Sequence, residues 1–491
     1  MVNEVIEQVN DALWTYVLVG VLIVCGLWFT WKTRFVQFRM VGEMVRLLGD
    51  GVGGSNGEDD GSNNGSNGVN GVNGEGNGKR KRKKRRISSF QAFAVSVATR
   101  VGTGNLAGVA TAIAVGGPGA VFWMWVIALV GSATAFVEST LGQLYKQRHE
   151  ESFIGGPAYY IQRGLHCRWM SVLFAVLLTI TFGLSYNSIQ SNTICASLQE
   201  AFGWSPLWVG LVLTALSLFI VFGGIHRIAR VSSVLVPVMA VGYFLLVVVI
   251  VVLNIQLIPH VLKVIVTDAF GWGQALGGGL GATMMVGIKR GLFSNEAGEG
   301  SAPNVAATAD VSHPVKQGLI QALGVFTDTL LVCSCTAFVI LISGLYTHPS
   351  LNGIALTQEA LQSEVGSFGP TFIAVAIFLF AFSSIIGNYY YGEANIRFLT
   401  SRRWVMTVFR LCSGGLMVLF GALASLQLVW SLGDLCMALI TACNLVAILA
   451  LGRHAFRLLD DYRQQRRQGI KDPVFHRSQM PDIADDLACW E

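Results

Sequence analysis

The sequence predicts an all-α, multi-spanning membrane protein of about eleven transmembrane helices, and three observations carry that reading. Hydrophobic residues make up 53% of the 491 and charged residues only 13%, against about a quarter charged in soluble domains. Several apolar runs reach the ~20 residues that cross a bilayer core of roughly 30 Å; the window Val234–Leu253 carries no charge at all. The basic residues between the runs also collect on one side, as membrane insertion requires.

Taken in order, the first helix is expected over Ala12–Trp31, followed by an amphipathic stretch, Phe35–Leu48, suited to a membrane surface. Residues 49–78 are Gly, Asn, Ser and a few acids, which bury too little apolar surface to fold. Eight basic residues, Lys79–Arg86, close this linker. Such a run can also bind nucleic acid or act as a localisation signal, but beside a membrane helix anionic headgroups are the nearer partner, and no nucleic acid is expected. Ten further helices are expected: Ser88–Val115, Pro118–Tyr145, Trp169–Leu198, Pro206–Gly223, Ile228–Leu253, Gly278–Ala309, Val315–Leu345, Pro370–Glu393, Trp404–Ala424 and Leu426–Leu451. The organisation follows: an N-terminal helix and amphipathic segment (1–48), a disordered linker (49–86), two five-helix repeats (87–253 and 254–452) and a cytoplasmic tail (453–491).

With the N-terminus outside, the cytoplasmic loops hold Lys79–Arg86, Lys146 with Arg148 and Arg168, His226 with Arg227 and Arg230, and Arg397 with Arg402 and Arg403; the tail adds Arg453, Arg457, Arg463, Arg466 and Arg467. The opposite loops hold Glu200, Asp268, Glu359 and Glu364, with Lys263 their one Lys or Arg. An odd helix count satisfies the positive-inside rule and an even count breaks it. The acidic start (Glu4, Glu7, Asp11) and the bulky Trp28, Phe29 and Trp31 give no expectation of a cleavable leader.

Nine cysteines include no CxxC pair and no zinc-like spacing with histidine, so they read as small packing residues. The eight histidines sit mostly in loops or tails without an HExxH pattern. A membrane enzyme is therefore not expected, and neither is a cofactor.

Two apolar segments are interrupted: Arg100-Val101-Gly102-Thr103-Gly104-Asn105, and Gly291 to Gly300 with Ser294, Asn295 and Glu296 inside it. Each interior glycine weakens a helix by roughly 1 kcal/mol relative to alanine. Unwound backbone at membrane depth is tolerated where protein or a wet cavity satisfies it. There, freed amides can bind a carboxylate and freed carbonyls a cation. Glycines can instead allow close helix packing. The two interruptions fall in the first and sixth of the ten later helices, corresponding positions in two five-helix halves, and this pattern points to an inverted repeat with a midplane site.

The stretches RVGTGNLAGVATAI, GGPGAVFWMW and FVESTLGQLYK within Ser89–Arg148 resemble the alanine or glycine:cation symporter family. So do GGPAYY (Gly155–Tyr160), KRGLFSNEAGEGSAPN (Lys289–Asn304), FTDTL (Phe326–Leu330) and FAFSSIIGNYYYGE (Phe380–Glu393). The tail KDPVFHRSQMPDI (Lys471–Ile483) is similar to that of bacterial members. The resemblance covers nearly the whole chain outside Gly49–Arg86. It implies a leucine-transporter-like fold with one extra N-terminal helix, a bacterial inner membrane location, and sodium-coupled uptake of a small neutral amino acid such as alanine or glycine, a proton being the alternative coupling ion.

By the same resemblance Gly102, Thr103, Gly104 and Asn105 form the first break at the substrate, with Phe293, Ser294 and Asn295 at the second and Gln190 on the third core helix. Asn388 stands where many members have tryptophan, which bears on the side-chain end of the pocket and on substrate size. The wider fold implies a cation site of Ala98 and Val101 carbonyls facing Ser383 and Ser384 hydroxyls, oxygen ligands that a hard cation prefers; a hydroxyl back-bonded to its own helix is the other reading of these serines. Arg100, Glu138, Lys289, Arg290, Glu296 and Asp328 are costly within spans unless paired or wet, as gating pairs, structural pairs or a proton relay. A channel would show repeated polar rings, and a non-transporting sensor a second folded domain. The partners expected are the amino acid, sodium and the bilayer, with no obligate protein.

Overall fold

In the computed structural model, residues 2–53, 87–149, 152–223, 225–271 and 279–490 are described. Most of the Gly/Asn linker, the basic run Lys79–Arg86 and Gly278 lie outside them. The chain opens with α1 (Val5–Lys32), one turn at Val36–Arg39 and α2 (Val41–Gly53). The expected linker start at Gly49 is thus corrected: helix continues to Gly53.

The expected second helix is interrupted into α3 (Ser89–Arg100) and α4 (Gly104–Gly116). Ser88 caps α3 reciprocally: its Oγ accepts from Gln91 N at 3.2 Å while Gln91 Oε1 accepts from Ser88 N at 3.1 Å, satisfying two amides a helix start leaves free. Next come α5 (Gly119–Leu144), the hairpin β1 (Gln147–His149) with β2 (Ser152–Ile154), α6 (Pro157–Gly164), α7 (Arg168–Phe202), α8 (Pro206–Val221), α9 (Ile225–Leu253) and α10 (Ile258–Ala269). The second interruption separates α11 (Gly279–Asn295) from the single turn α12 (Ala302–Ala306). The chain finishes with α13 (Pro314–Ser343), α14 (Gly353–Val365), α15 (Phe368–Leu399), α16 (Arg403–Leu423) and α17 (Leu426–Arg467).

Among the described residues seven helices are long and apolar enough to cross a membrane, or eight if Ala240–Leu253 and Ile255–Ala269, bent by 77°, make one span. Large apolar side chains such as Tyr16, Trp169, Trp208, Phe219 and Leu253 are exposed on the outer surface, the pattern that lipid, not water, accommodates.

Three helices, α6, α10 and α14, lie where loops were expected. They are short or carry charges such as Lys263, Asp268, Glu359 and Glu364, so a search for span-length apolar runs passes over them. Their starts are written locally: proline in the first turn of α6 and α10, and Asn352 Oδ1 accepting from Gly353 N at 2.6 Å before α14. Likewise α17 runs well past Leu451, and the tail folds back. Trp490 Nε1 donates to Leu144 O at 3.0 Å and Phe475 N to Ser312 O at 2.9 Å, covering the ends of α5 and α13. At the centre α5 packs along α11 and α13, and α15 along α3 and α7, which brings the two interruptions together.

Candidate functional site

The first interruption begins where Val101 leaves helical geometry for an extended ψ of 98°. Its freed amides meet side-chain oxygens: Gly102 N donates to Asn105 Oδ1 at 2.8 Å, and Thr103 N and Oγ1 donate to Gln190 Oε1 at 3.0 and 2.7 Å. Gln190, on α7, thus presents a carbonyl oxygen where a carboxylate oxygen could accept the same two hydrogens. Glycine fits closely at both flanks. A Cβ on Gly102 would lie 2.5 Å from Ser384 Oγ, and one on Gly104 would lie 3.0 Å from Ser294 Cα and 3.2 Å from Phe293 Cδ1. The two breaks therefore touch backbone to backbone.

The second break follows Asn295 and turns through left-handed residues, Glu296 (φ 56°), Gly298 (φ 96°) and Gly300 (φ 79°). Its freed amides are held by one carboxylate: Glu138 of α5 accepts from Gly298 N at 3.2 Å, Gly300 N at 3.1 Å and Asn444 Nδ2 at 2.8 Å. Glu296 accepts from Ser301 Oγ at 2.5 Å. Asp328 of α13 joins the two breaks, accepting from Asn105 Nδ2 and Ser294 Oγ, each at 2.7 Å. Phe293 fills the space beside Gly104 and continues an aromatic chain through Tyr186 and Trp430, with ring centroids 4.9 and 4.8 Å away.

Beneath the first break four oxygens converge. Ser384 Oγ lies 3.0 Å from Ala98 O and 3.4 Å from Val101 O, and Ser383 Oγ lies 3.3 Å from Ala98 O. Both hydroxyls also reach Phe380 O, at 2.7 Å from Ser383 and 3.1 Å from Ser384, so the back-bond and the cross-helix contact coexist. All four residues are buried. Two carbonyls and two hydroxyls whose lone pairs can turn inward form a donor set suited to a small hard cation.

The structure brings Gly102, Thr103, Gly104, Asn105, Gln190, Phe293 and Ser294 into one contact network, and Ala98, Val101, Ser383 and Ser384 into another directly below it. Asn295 goes elsewhere, donating to Thr329 Oγ1 at 3.3 Å and capping Ala297 N at 3.0 Å; it braces the second break. Asn388 is buried with both polar atoms lacking a hydrogen-bond partner among the described residues.

Sequence reasoning missed Asp434. Its carboxylate accepts from Arg290 at 3.0 and 2.8 Å and from Lys289 at 3.2 Å, while the Arg290 guanidinium lies 4.2 Å from the Trp430 ring centre. A lone acid inside the apolar run Leu426–Leu451 was the available signal. Glu138 and Asp328 were singled out as intramembrane charges, yet their partners are backbone amides and polar side chains, with no Lys or Arg among their hydrogen bonds to the described residues. Arg100 donates to Gln321 O at 3.2 Å.

The sequence matches the sodium:alanine symporter family over residues 1–64 and 70–477. This chain belongs to that family. The short gap in the match falls within the Gly/Asn linker. Among similar proteins, the probable sodium/glutamine symporter GlnT of Bacillus subtilis is 48% identical over 491 residues, covering all of this chain and 96% of the relative. The amino-acid carrier protein AlsT of the same organism is 48% identical over 490 residues, covering all of this chain and 98% of the relative. The sodium/proton-dependent alanine carrier protein of Bacillus sp. PS3 is 38% identical over 413 residues, 80% of this chain and 91% of the relative. As a sodium:alanine symporter family member the chain is an integral membrane transporter that moves an amino acid with a cation, and it is not an enzyme.

Proposed function

We propose that the chain couples uptake of a small neutral amino acid, alanine or glycine, to the sodium gradient by alternating access. The observation that carries the reading is a single peptide group. The Val101 carbonyl lies 3.4 Å from Ser384 Oγ in the oxygen cluster, and the amide on the other side of the same bond, Gly102 N, faces the break at 2.8 Å from Asn105 Oδ1. A cation drawing on that carbonyl polarises the N–H opposite, so ion and substrate favour the same backbone geometry. A substrate carboxylate takes the positions now filled by Asn105 Oδ1 and Gln190 Oε1. Its ammonium meets the carbonyls of the second break, Ser294 and Asp328. Such coupling works through differential affinity for the outward and inward states.

The same reading extends to architecture. Eleven spans, with 87–253 and 254–452 as inverted five-helix repeats after an extra N-terminal helix (1–48), agree with two breaks at corresponding positions. An external N-terminus and a cytoplasmic tail (453–491) in a bacterial inner membrane agree with the basic loops. Asp434 with Lys289 and Arg290, beside the Trp430 ring that packs on Phe293, serves as an ion-paired gate. A proton in place of sodium is the second reading. It is favoured by the Asp328 carboxylate that joins both breaks and by the relative named as sodium/proton-dependent.

The test is uptake of labelled alanine into proteoliposomes under an inward sodium gradient and, separately, a proton gradient. Sodium-driven accumulation above equilibrium supports the first reading and proton-driven accumulation the second. Absence of any amino-acid accumulation under either gradient would sink both and favour a channel or sensor.

A further inference from the structure

Positive charge gathers where the N-terminal helix ends beside the far end of α17. The chain leaves α1 through two left-handed residues, Arg34 (φ 52°) and Phe35 (φ 59°). That reversal carries the turn Val36–Arg39 to the last turns of α17, where Arg463 Nη2 donates to Thr33 O at 2.8 Å. An open cavity of about 400 Å³ lies there, lined by Arg39, Arg463, Arg466 and Arg467. The last three share one face of α17, being three and four residues apart. A helix C-terminus draws cations to its final turn, which accounts for Arg466 and Arg467 but not for Arg39, which comes from a different element.

One acid, Glu43 of α2, lines the same cavity, and it is already engaged. It accepts from Arg46 at 2.9 and 2.7 Å, from Tyr462 Oη at 2.5 Å and from Arg466 at 3.2 Å. The side chains of Arg39 and Arg467 are exposed, with no hydrogen-bond or ion-pair partner among the described residues. Arg34, Arg39 and Arg467 all repel the charge on Arg463, with Asp460 opposing them. Four guanidiniums around one carboxylate leave the opening positive, and guanidinium forks match phosphate oxygens. The segment that carries Arg39 and Glu43 also presents apolar side chains outward: Phe35 and Phe38 are 50% and 49% exposed, and Val45 is 56% exposed. On the same end of α1, Trp28 and Trp31 are exposed, with Lys32 Nζ 4.7 and 4.9 Å from their ring centres. Such aromatic residues mark the depth of lipid headgroups. The cavity therefore opens at headgroup level, with apolar side chains beside it where acyl chains begin.

We infer that this cavity binds the phosphate of an anionic phospholipid such as phosphatidylglycerol, whose acyl chains lie along Phe35, Phe38 and Val45, so that one lipid ties the N-terminal helix to the end of α17. Basic pockets between membrane helices hold acidic headgroups by this chemistry. The orientation proposed above makes the leaflet cytoplasmic; the site itself does not depend on that orientation or on the substrate.

The test uses the full chain purified in a neutral detergent and titrated with phosphatidylglycerol, phosphatidylcholine or glycerol phosphate, with binding read by native mass spectrometry and thermal unfolding. Phosphatidylglycerol should bind saturably and raise Tm. Phosphatidylcholine, whose headgroup is zwitterionic, and glycerol phosphate, which has no acyl chains, should each bind about tenfold or more weaker. An arginine beside anionic lipid is worth about fivefold in affinity, so R39Q/R467Q should lose about 30-fold. R402Q/R403Q removes the same charge from two exposed arginines elsewhere and should stay within about twofold of the wild type. A photoactivatable phosphatidylglycerol on the wild-type chain should crosslink within 35–45 or 460–467, which tests the location even if a variant misfolds. Equal binding of phosphatidylcholine overturns the reading of headgroup charge. Equal binding of glycerol phosphate makes this a soluble-anion site and overturns the lipid. Equal loss in both double variants, or crosslinks confined to other segments, overturns the cavity as the place. Each of these outcomes leaves the symport reading standing.

Discussion

Ser384→Ala removes one of the two side-chain oxygens in the proposed cation site. Its Oγ lies 3.0 Å from Ala98 O and 3.4 Å from Val101 O, so a cation bound among these oxygens would lose one of four protein ligands. An interaction between a polar group and a charge is worth about 1.5–3 kcal/mol, and each ~1.4 kcal/mol is tenfold in affinity. The half-saturating sodium concentration should therefore rise about 10- to 100-fold. The fold itself should lose only about 1 kcal/mol, the net worth of an ordinary hydrogen bond, because Ser383 still reaches Ala98 O at 3.3 Å. The assay is the initial rate of amino-acid uptake against sodium concentration at fixed substrate. Thermal unfolding with and without sodium gives an independent reading, since an ion in hundredfold excess over its Kd adds about 2.7 kcal/mol and the variant should gain much less. An unchanged sodium midpoint in both assays, with only a lower maximal rate, would refute the reasoning and leave the two serines as helix-packing residues.

Other predictions follow from contacts elsewhere. Gly104→Ala should destabilise by about 1–3 kcal/mol, the usual range for overpacking, because the new Cβ would stand 3.0 Å from Ser294 Cα; a thermal melt and loss of transport check it, and a tolerated alanine would mean the breaks are not in contact. Asp434→Ala strands Lys289 and Arg290, now held at 3.2 and 2.8 Å, and should cost about 3–5 kcal/mol as broken buried pairs do, read as a drop in Tm that high salt does not restore. The folded-back tail should loosen in acid. Burial holds His313 below the ordinary imidazole range, against the opposing hydrogen bond that its Nε2 donates to Asp461 Oδ2 at 3.1 Å. Its neutral form thus contributes stability that is present above the unfolded value of about 6.5 and is lost as pH falls toward the folded value. Hydrogen-exchange protection factors in 471–490, taken against the intrinsic rate at each pH, should fall between pH 7.5 and 5.5, less so in His313→Gln; equal pH dependence in the two proteins would exclude His313 as the cause.

Composition, apolar runs and the side-biased basic residues were enough to predict the fold class and the position of the long helices, because the bilayer imposes length, hydropathy and charge rules that act along the chain alone. The glycines of both interruptions were legible because two such segments stand at corresponding places along the chain, whereas a lone interior glycine serves close helix packing as readily. The shorter helices α10 and α14 were not, because neither alone reaches span length and their charges disguise them. What lies opposite what was decided only in three dimensions. Asp434 meets Lys289 and Arg290 across more than a hundred residues, Glu138 holds the amides of a break on another helix, and Asp328 ties that break to the first. A buried charge can be seen in a sequence, since its cost is local. Its partner cannot, since the interaction that offsets that cost depends on distance in the folded chain.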